Sequence, residues 1–351
     1  MSRFPFPLPN GWFAVAASHD VAVGQVRPIH YLDRDLVVFR TESGAAGILD
    51  AHCAHLGAHL GIGAGSPGDS RPGPGTVVGE CVRCPFHGWQ YDRAGACVEI
   101  PYSDARIPSK AKVRGWEVRE QNGLISLWHH RGGRPPAWEL PELPEFADNQ
   151  WVGPIVTERT IATCLQEMAE NDHDFVHFAY VHGADEIPSS LVTYHQNGRI
   201  KTTTEILEAG RDFGKGTTTI ESRTGFSRET HQLGFVVLRI PDLISFVAAS
   251  TPIDEEHVHQ RWVFAYPKAL GDEMGQGIID AFSHSGIYED IPIWEHKVYL
   301  EHPVLVKGDG PIGDFRRWAR QFYSDEPTAG ADRASPTPDR QMDTASVSGR
   351  G

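Results

Sequence analysis

Two groups of metal-binding residues, about 120 positions apart, stand out in this 351-residue chain. The first reads Cys53-Ala54-His55 and then Cys84-Pro85-Phe86-His87. It offers two soft thiolates and two imidazoles. The second reads Asp174-Phe175-Val176-His177-Phe178-Ala179-Tyr180-Val181-His182 and offers two imidazoles and a carboxylate. The first set suits an iron–sulfur cluster, the second a mononuclear Fe(II). A chain with both is expected to be an enzyme that feeds single electrons to an oxygen-activating iron.

A mixed-ligand [2Fe–2S] centre places two thiolates on one iron and two neutral imidazoles on the other. Two tight loops, each carrying one Cys and one His, can face each other across it. Replacing thiolate by imidazole removes negative charge, so the reduced state is less disfavoured and the potential rises. Pro85, Gly88 and Trp89 would shape and cover the second loop. Competing readings are a structural Cys2His2 zinc site, or Cys81-Val82-Arg83-Cys84 as half of a zinc knuckle. The long string Cys-Pro-Phe-His-Gly-Trp favours the cluster. Cys81 then has no ligand role, and Cys97 and Cys164 are expected to be buried small hydrophobes. Between His55 and Cys84, Ala64 to Thr76 is rich in Gly, Pro and Ser and reads as an inserted loop. The run Gly61-Ile62-Gly63-Ala64-Gly65 lacks the G-x-G-x-x-G spacing and a following helix. With no other nicotinamide or flavin fingerprint, NAD(P)H is expected to act only through a separate reductase or ferredoxin.

In the second group, Asp174 and His177 are three apart and share a helix face. His177 and His182 are five apart, about 140° around an ideal helix. They can meet one metal only if the helix ends or bulges between them. His173 and His177 form a rival i, i+4 pair, but the zinc-protease motif wants Glu after the first His, and Asp174 stands there. His173 is therefore read as a solvated helix residue. A facial triad also needs a carboxylate, which can come from far along the chain. Asp290 is the best candidate and Glu289 the alternative; spacing alone does not choose between them.

The elements that must position these residues form two regions. From Trp12 to about Arg131, short β-like runs (Leu36 to Phe39, Ala46 to Leu49, Ile125 to His129) alternate with turn signals, an all-β module. Arg134 to Pro144 reads as a Pro-rich linker. Beyond it come strands at Trp151 to Thr160, Thr202 to Leu207, Thr217 to Glu221, Gly234 to Arg239, Leu243 to Ser250 and His259 to Tyr266. Helices are expected at Leu165 to Tyr180, Ile278 to Tyr288 and Ile312 to Tyr323. The fold class is α+β, with one curved antiparallel sheet in the second domain. Apolar strands at Phe235 to Leu238 and Leu243 to Val247 are candidates for a cavity wall as well as for sheet core. Residues 10–133 and 150–325 are the expected domains, and 326–351 a disordered tail.

Net charge is −14, with no basic stripe, which argues against nucleic-acid binding. The first residues are too polar for a signal peptide, and no apolar run approaches the length of a transmembrane helix. Five cysteines in a chain of this length read as metal ligands or buried thiols, not as disulfides, which points to a cytoplasmic setting.

These motifs resemble those of the Rieske non-haem iron oxygenases. The likeness extends from about residue 10 to 325 and includes His52 to Leu60, Cys81 to Gly88, Gly95 to Tyr102, Gln121 to Trp128, Gln166 to His182 and Asp290 to Tyr323. It is greatest to the steroid-acting branch, which contains the 3-ketosteroid 9α-hydroxylases and cholesterol 7-desaturases. The resemblance implies a Rieske β-module, a helix-grip catalytic domain and a head-to-tail homotrimer. It implies that Cys53, His55, Cys84 and His87 hold [2Fe–2S], and that His177, His182 and Asp290 hold the iron. It implies that Asp174 bridges the two sites, bonding a cluster histidine across the subunit boundary (His87 is the expected one) and an iron-ligand histidine in its own subunit. The expected reaction is hydroxylation or desaturation of an apolar, steroid-like substrate with O2. The alternatives are a tailoring oxygenase acting on another natural product, a Rieske electron-transfer protein without oxygenase activity, and a zinc-stabilised binding module.

Overall fold

Leu36-Val37-Val38-Phe39 combines β-branched and aromatic residues and forms the middle of a strand, Arg34–Arg40 (β3). In the computed structural model, which describes residues 3–64, 72–183, 187, 190–194, 202–206, 226–284, 287–324 and 342–343, β3 pairs with Val26–Tyr31 (β2) and Ala46–Asp50 (β4). Leu32 and Asp33 form the two-residue turn between β2 and β3 with φ of 59° and 57°. Gly11–Ala17 (β1) pairs with Leu124–His129 (β12), which pairs with Val118–Gln121 (β11) across an Asn122-Gly123 turn. Both turns have positive φ at the two central residues, the geometry that matches strand twist in tight hairpins.

The ligand loops lie between these sheets in the sequence. Ile62–Ala64 (β5) pairs with Pro72–Pro74 (β6). Thr76–Val78 (β7), Cys81–Arg83 (β8), Gln90–Tyr91 (β9) and Cys97–Glu99 (β10) form a four-stranded sheet. The 64–76 segment therefore begins and ends in strand pairing instead of being loop throughout; residues 65–71 lie outside the described residues. One compact unit comprises Trp12–His129 with Gly133–Glu139. Its core includes Val37, Phe39, Leu49, Leu60, Val82 and Tyr91, and Cys53 and Cys84 belong to the same cluster.

The other unit comprises Met1–Gly11, His130–Gly132 and Leu140–Gly351. Its eight-stranded antiparallel sheet contains Trp151–Ile161 (β13), Ser190–Tyr194 (β14), Thr202–Ile206 (β15), Phe226–Gln232 (β16), Phe235–Ile240 (β17), Ile244–Pro252 (β18), Val258–Pro267 (β19) and Met342–Asp343 (β20). Their order is β13-β19-β18-β17-β16-β15-β14-β20. Thus Met342–Asp343, inside the expected tail, pairs with Leu191 and Val192. The rest of 326–351 lies outside the described residues, as does the expected strand Thr217 to Glu221.

The helices are Leu165–Asn171 (α1), His177–Tyr180 (α2), Asp272–His284 (α3), Ile287–His296 (α4) and Ile312–Ala319 (α5). Three helix expectations change. The span Leu165 to Tyr180 is two helices, because the Asp174 side chain accepts hydrogen bonds from the backbone N–H of Val176 and His177 and restarts the chain. The span Ile278 to Tyr288 falls across the boundary between α3 and α4. Ile312 to Tyr323 is α-helical to Ala319 and then tightens into a 3-10 turn. Among the described residues no helix is long and apolar enough to cross a membrane.

Helices α1, α3 and α4 pack against strands of the sheet. Alternation along the strands divides the apolar residues between two faces. Val236, Leu238, Phe246 and Ala248 line a cavity, whereas Val237, Val247 and Val263 are buried on the opposite face.

Candidate active site

In the N-terminal unit each Cys–His pair sits on a one-turn loop. Gly57 N–H donates to the Cys53 carbonyl at 2.9 Å, and Gly88 N–H to the Cys84 carbonyl at 3.0 Å. Gly88 has φ of +77°, and a Cβ there would meet Pro101 at 3.0 Å, so the second loop requires glycine. Cys53 and Cys84 are buried side by side. The hydrogen bond from Cys84 pulls the Cys53 thiol well below its ordinary value, and the same bond pushes Cys84 up. Tyr91 donates a second hydrogen bond to Cys53 Sγ at 3.1 Å, while its oxygen accepts from Ala54 N–H at 3.2 Å. The His55 and His87 rings are 4.7 Å apart, and Trp89 stacks on His55 at 4.7 Å and 4°. His55 Nδ1 is buried without a hydrogen-bond partner. Two hydrogen-bonded thiols, two adjacent imidazoles and an orphaned ring nitrogen form a donor set that fits a mixed-ligand [2Fe–2S] cluster. Cys81 is half-buried in β8, and Cys97 and Cys164 are buried thiols raised by burial.

In the C-terminal unit the ligand atoms of His177, His182 and Asp290 all lie within 4.8 Å of one another. His177 stands at the start of α2, His182 just past its end, and Asp290 in α4. Because α2 ends at Tyr180, the 140° offset of a continuous helix does not arise. His177 Nε2 is 3.9 Å from Asp290 Oδ1, and His182 Nε2 is 3.4 Å from Asp290 Oδ2. The other ring nitrogens are taken. His177 Nδ1 meets the Asp174 carbonyl, and His182 Nδ1 meets Glu289 Oε2 at 2.8 Å. Both Nε2 atoms are thus directed to one carboxylate, and two imidazoles with one carboxylate fit Fe(II). Burial lowers His177. Burial would also lower His182, but hydrogen bonds and charge from Asp290 and Glu289 outweigh it and raise that imidazole.

Neighbours of the triad hold each other. Asn171 Nδ2 lies 3.3 Å from His177 Nε2, and Arg228 pairs with Asp172 at 2.9 Å. Burial raises the Asp172 carboxyl. Neither this pair nor the Glu289–His182 contact was foreseen. The signal for Glu289 was its place beside Asp290, read only as a rival ligand.

Two expectations need correction. His173 is not solvated; it is fully buried, its Nδ1 is 3.1 Å from the Ala169 carbonyl, and its ring stacks on Phe315 at 4.5 Å. Burial pushes its imidazole down to about 3. His173 stands two residues past the end of α1, beside the place where that helix packs against α5. Asp174 does contact His177, but through its main-chain carbonyl. Its carboxylate Oδ1 is held by the turn that starts α2.

A cavity of about 220 Å³ reaches the triad, lined by His177, His182 and Asp290 together with apolar residues of α1, α3 and the sheet. A loop-held Cys2His2 set in one unit, and a two-His, one-carboxylate set opening into an apolar cavity in the other, define the class of an iron oxygenase with its own electron-relay cluster.

Comparisons with known proteins agree. A model of the Rieske [2Fe-2S] domain matches residues 11–117, and one of the 3-ketosteroid 9alpha-hydroxylase C-terminal domain matches residues 127–323. Cholesterol 7-desaturase of Caenorhabditis elegans is 32% identical over 92% of this chain and 78% of its own length. The oxygenase component of 3-ketosteroid-9-alpha-monooxygenase from Mycolicibacterium smegmatis is 28% identical over 90% and 82%. Among solved structures, Pseudomonas putida CBB5 NdmA with caffeine superposes with a TM-score of 0.69 at 22% identity, covering 88% of this chain and 89% of its own. Dicamba monooxygenase with non-heme iron and dicamba gives 0.68 at 17% identity, covering 90% and 96%. The chain belongs to the Rieske non-haem iron oxygenases, in the branch of the 3-ketosteroid 9α-hydroxylases and cholesterol 7-desaturases. It is an oxidoreductase of the monooxygenase/desaturase type, using a [2Fe–2S] cluster, non-haem iron, O2 and electrons from a separate partner.

Proposed function

We propose that the enzyme hydroxylates or desaturates a steroid-like substrate, with Cys53, His55, Cys84 and His87 holding the cluster and His177, His182 and Asp290 holding the iron. The observation that carries this reading is the apolar cavity ending at the triad. The named relatives, which act on cholesterol and 3-ketosteroids, support the substrate class.

When bound, the iron activates O2 toward an unactivated C–H bond, and the cluster supplies single electrons. The chain's residues prepare that chemistry. Leu165, Met168, Val236, Leu238 and Phe246 take the apolar body of the substrate and exclude water. The Asp174 carbonyl and the Glu289 carboxylate hold the Nδ1 protons of His177 and His182, so that Nε2 of each ring is the ligand atom. Tyr91 and Trp89 fix the cluster loops.

In the working assembly, a head-to-tail trimer in the cytoplasm, Asp174 links the triad of one protomer to His87 of the next. A separate reductase or ferredoxin delivers the electrons. The test is turnover of cholesterol and of a 3-ketosteroid with a supplied electron donor and labelled O2. An oxygenated or unsaturated steroid product supports the reading. Uncoupled O2 consumption with every steroid sinks it.

A further inference from the structure

The polar groups of the cavity fall into two sets. Asn171, Asp172, Arg228 and Glu289 are engaged with one another or with the triad imidazoles. The second set is Ser250, Gln260 and Trp262 on β18 and β19. Ser250 stands opposite Gln260, and Trp262 follows two residues on, so all three share the cavity face. Gln260 is only 4% exposed. Its Nε2 donates to Ser250 Oγ at 3.4 Å, while its Oε1 is buried without a partner. Trp262 Nε1 is likewise buried without a partner. Of the described residues lining the cavity, these two carry the orphaned buried polar atoms.

Buried polar atoms are almost always hydrogen-bonded, so each orphan calls for a partner. Here one is an acceptor and the other a donor, side by side on one strand face. We propose that Gln260 and Trp262 form an oxygen anchor for the substrate, and that the group they hold is a hydroxyl. A hydroxyl donates to Gln260 Oε1 and accepts from Trp262 Nε1–H with the same oxygen. A carbonyl or carboxylate accepts only, and leaves the amide oxygen stranded. The inference rests on the steroid reading above and sharpens it: sterol-like alcohols are selected over their ketones. The amide turned over would present Nε2–H to a ketone, with Oε1 accepting from Ser250. The sign of the alcohol–ketone preference separates the two orientations.

The test is equilibrium dialysis of the holoenzyme with two pairs that differ only at one oxygen: cholestanol and cholestan-3-one, and borneol and camphor. The alcohol is expected to bind about tenfold tighter or more, the cost of one unpaired buried acceptor. Gln260→Leu should bring the ratio close to one, whereas Trp262→Phe should weaken the alcohol and the ketone alike and leave the preference in place; using two variants keeps the test decisive should one fail to fold. A preference for the ketone overturns the hydroxyl assignment, and an unchanged ratio in Gln260→Leu with undiminished binding in Trp262→Phe overturns the anchor; each leaves steroid binding intact. A preference for borneol with no binding of either cholestane keeps the anchor and removes the steroid reading. No binding of any probe overturns both.

Discussion

The cysteine–histidine loops of the N-terminal unit and the triad of the C-terminal unit reach their geometry by different routes. Cys53 to His55 and Cys84 to His87 are two short turns, each closed by its own backbone hydrogen bonds and tied to a local β-core. His177, His182 and Asp290 come from the start of a four-residue helix, a position two residues past its end, and a helix more than a hundred positions later. The first arrangement is local and carries its own scaffold. The second depends on tertiary packing and on supporting contacts such as Glu289 with His182 and the Asp174 carbonyl with His177. Damage to supporting residues should therefore cost the triad its metal, while damage beside the cluster should retune it without dismantling it.

The largest effect is expected where the two regions must cooperate. Asp174→Asn keeps an oxygen for the turn that starts α2 and removes the charge proposed to link the sites. Both metal centres should remain, with turnover down at least about a hundredfold. Normal turnover, measured by product formation, would remove the bridge.

Next comes Glu289→Ala, which frees the Nδ1 of His182. Iron affinity should fall by roughly ten- to a hundredfold. Iron titration of the metal-depleted protein measures this, and the visible spectrum of the cluster should not change. Loss of the cluster signal instead would show that the two regions are not independent in the way described.

The smallest effect is expected at Tyr91→Phe, which deletes one hydrogen bond to Cys53 Sγ. The cluster should stay assembled, with its reduction potential lowered on the order of tens of mV. Redox titration followed by EPR reads this directly; an unchanged or raised potential would show that the bond does not stabilise the reduced form.

The same contrast explains what could be read from the sequence. Cys-Pro-Phe-His-Gly-Trp is legible because ligands, turn glycine and covering indole are neighbours in the chain. Alternation in Phe235 to Leu238 and Leu243 to Val247 left cavity wall and core both open, and the structure divides these strands between the two. The triad was harder. Helical spacing left His173 and Glu289 as rivals, and only the family likeness set them aside. His173 looked solvated because nothing nearby in sequence covers it. Its cover comes from Phe315, and from Gly310, where a Cβ would collide with the His173 carbonyl. Such long-range contacts leave no local pattern. Gln260 did leave one, a polar residue on the inner face of an apolar strand, but its meaning depends on knowing that Ser250 lies opposite.

The most direct test of the whole account is an iron count on Asp290→Ala, with EPR of its reduced form. The wild-type enzyme should carry about three irons per chain, two in the cluster and one at the triad. The variant should carry about two, with the cluster signal unchanged and turnover abolished. Retention of the third iron, or loss of the cluster instead, would contradict the assignment of His177, His182 and Asp290 as the oxygen-activating centre.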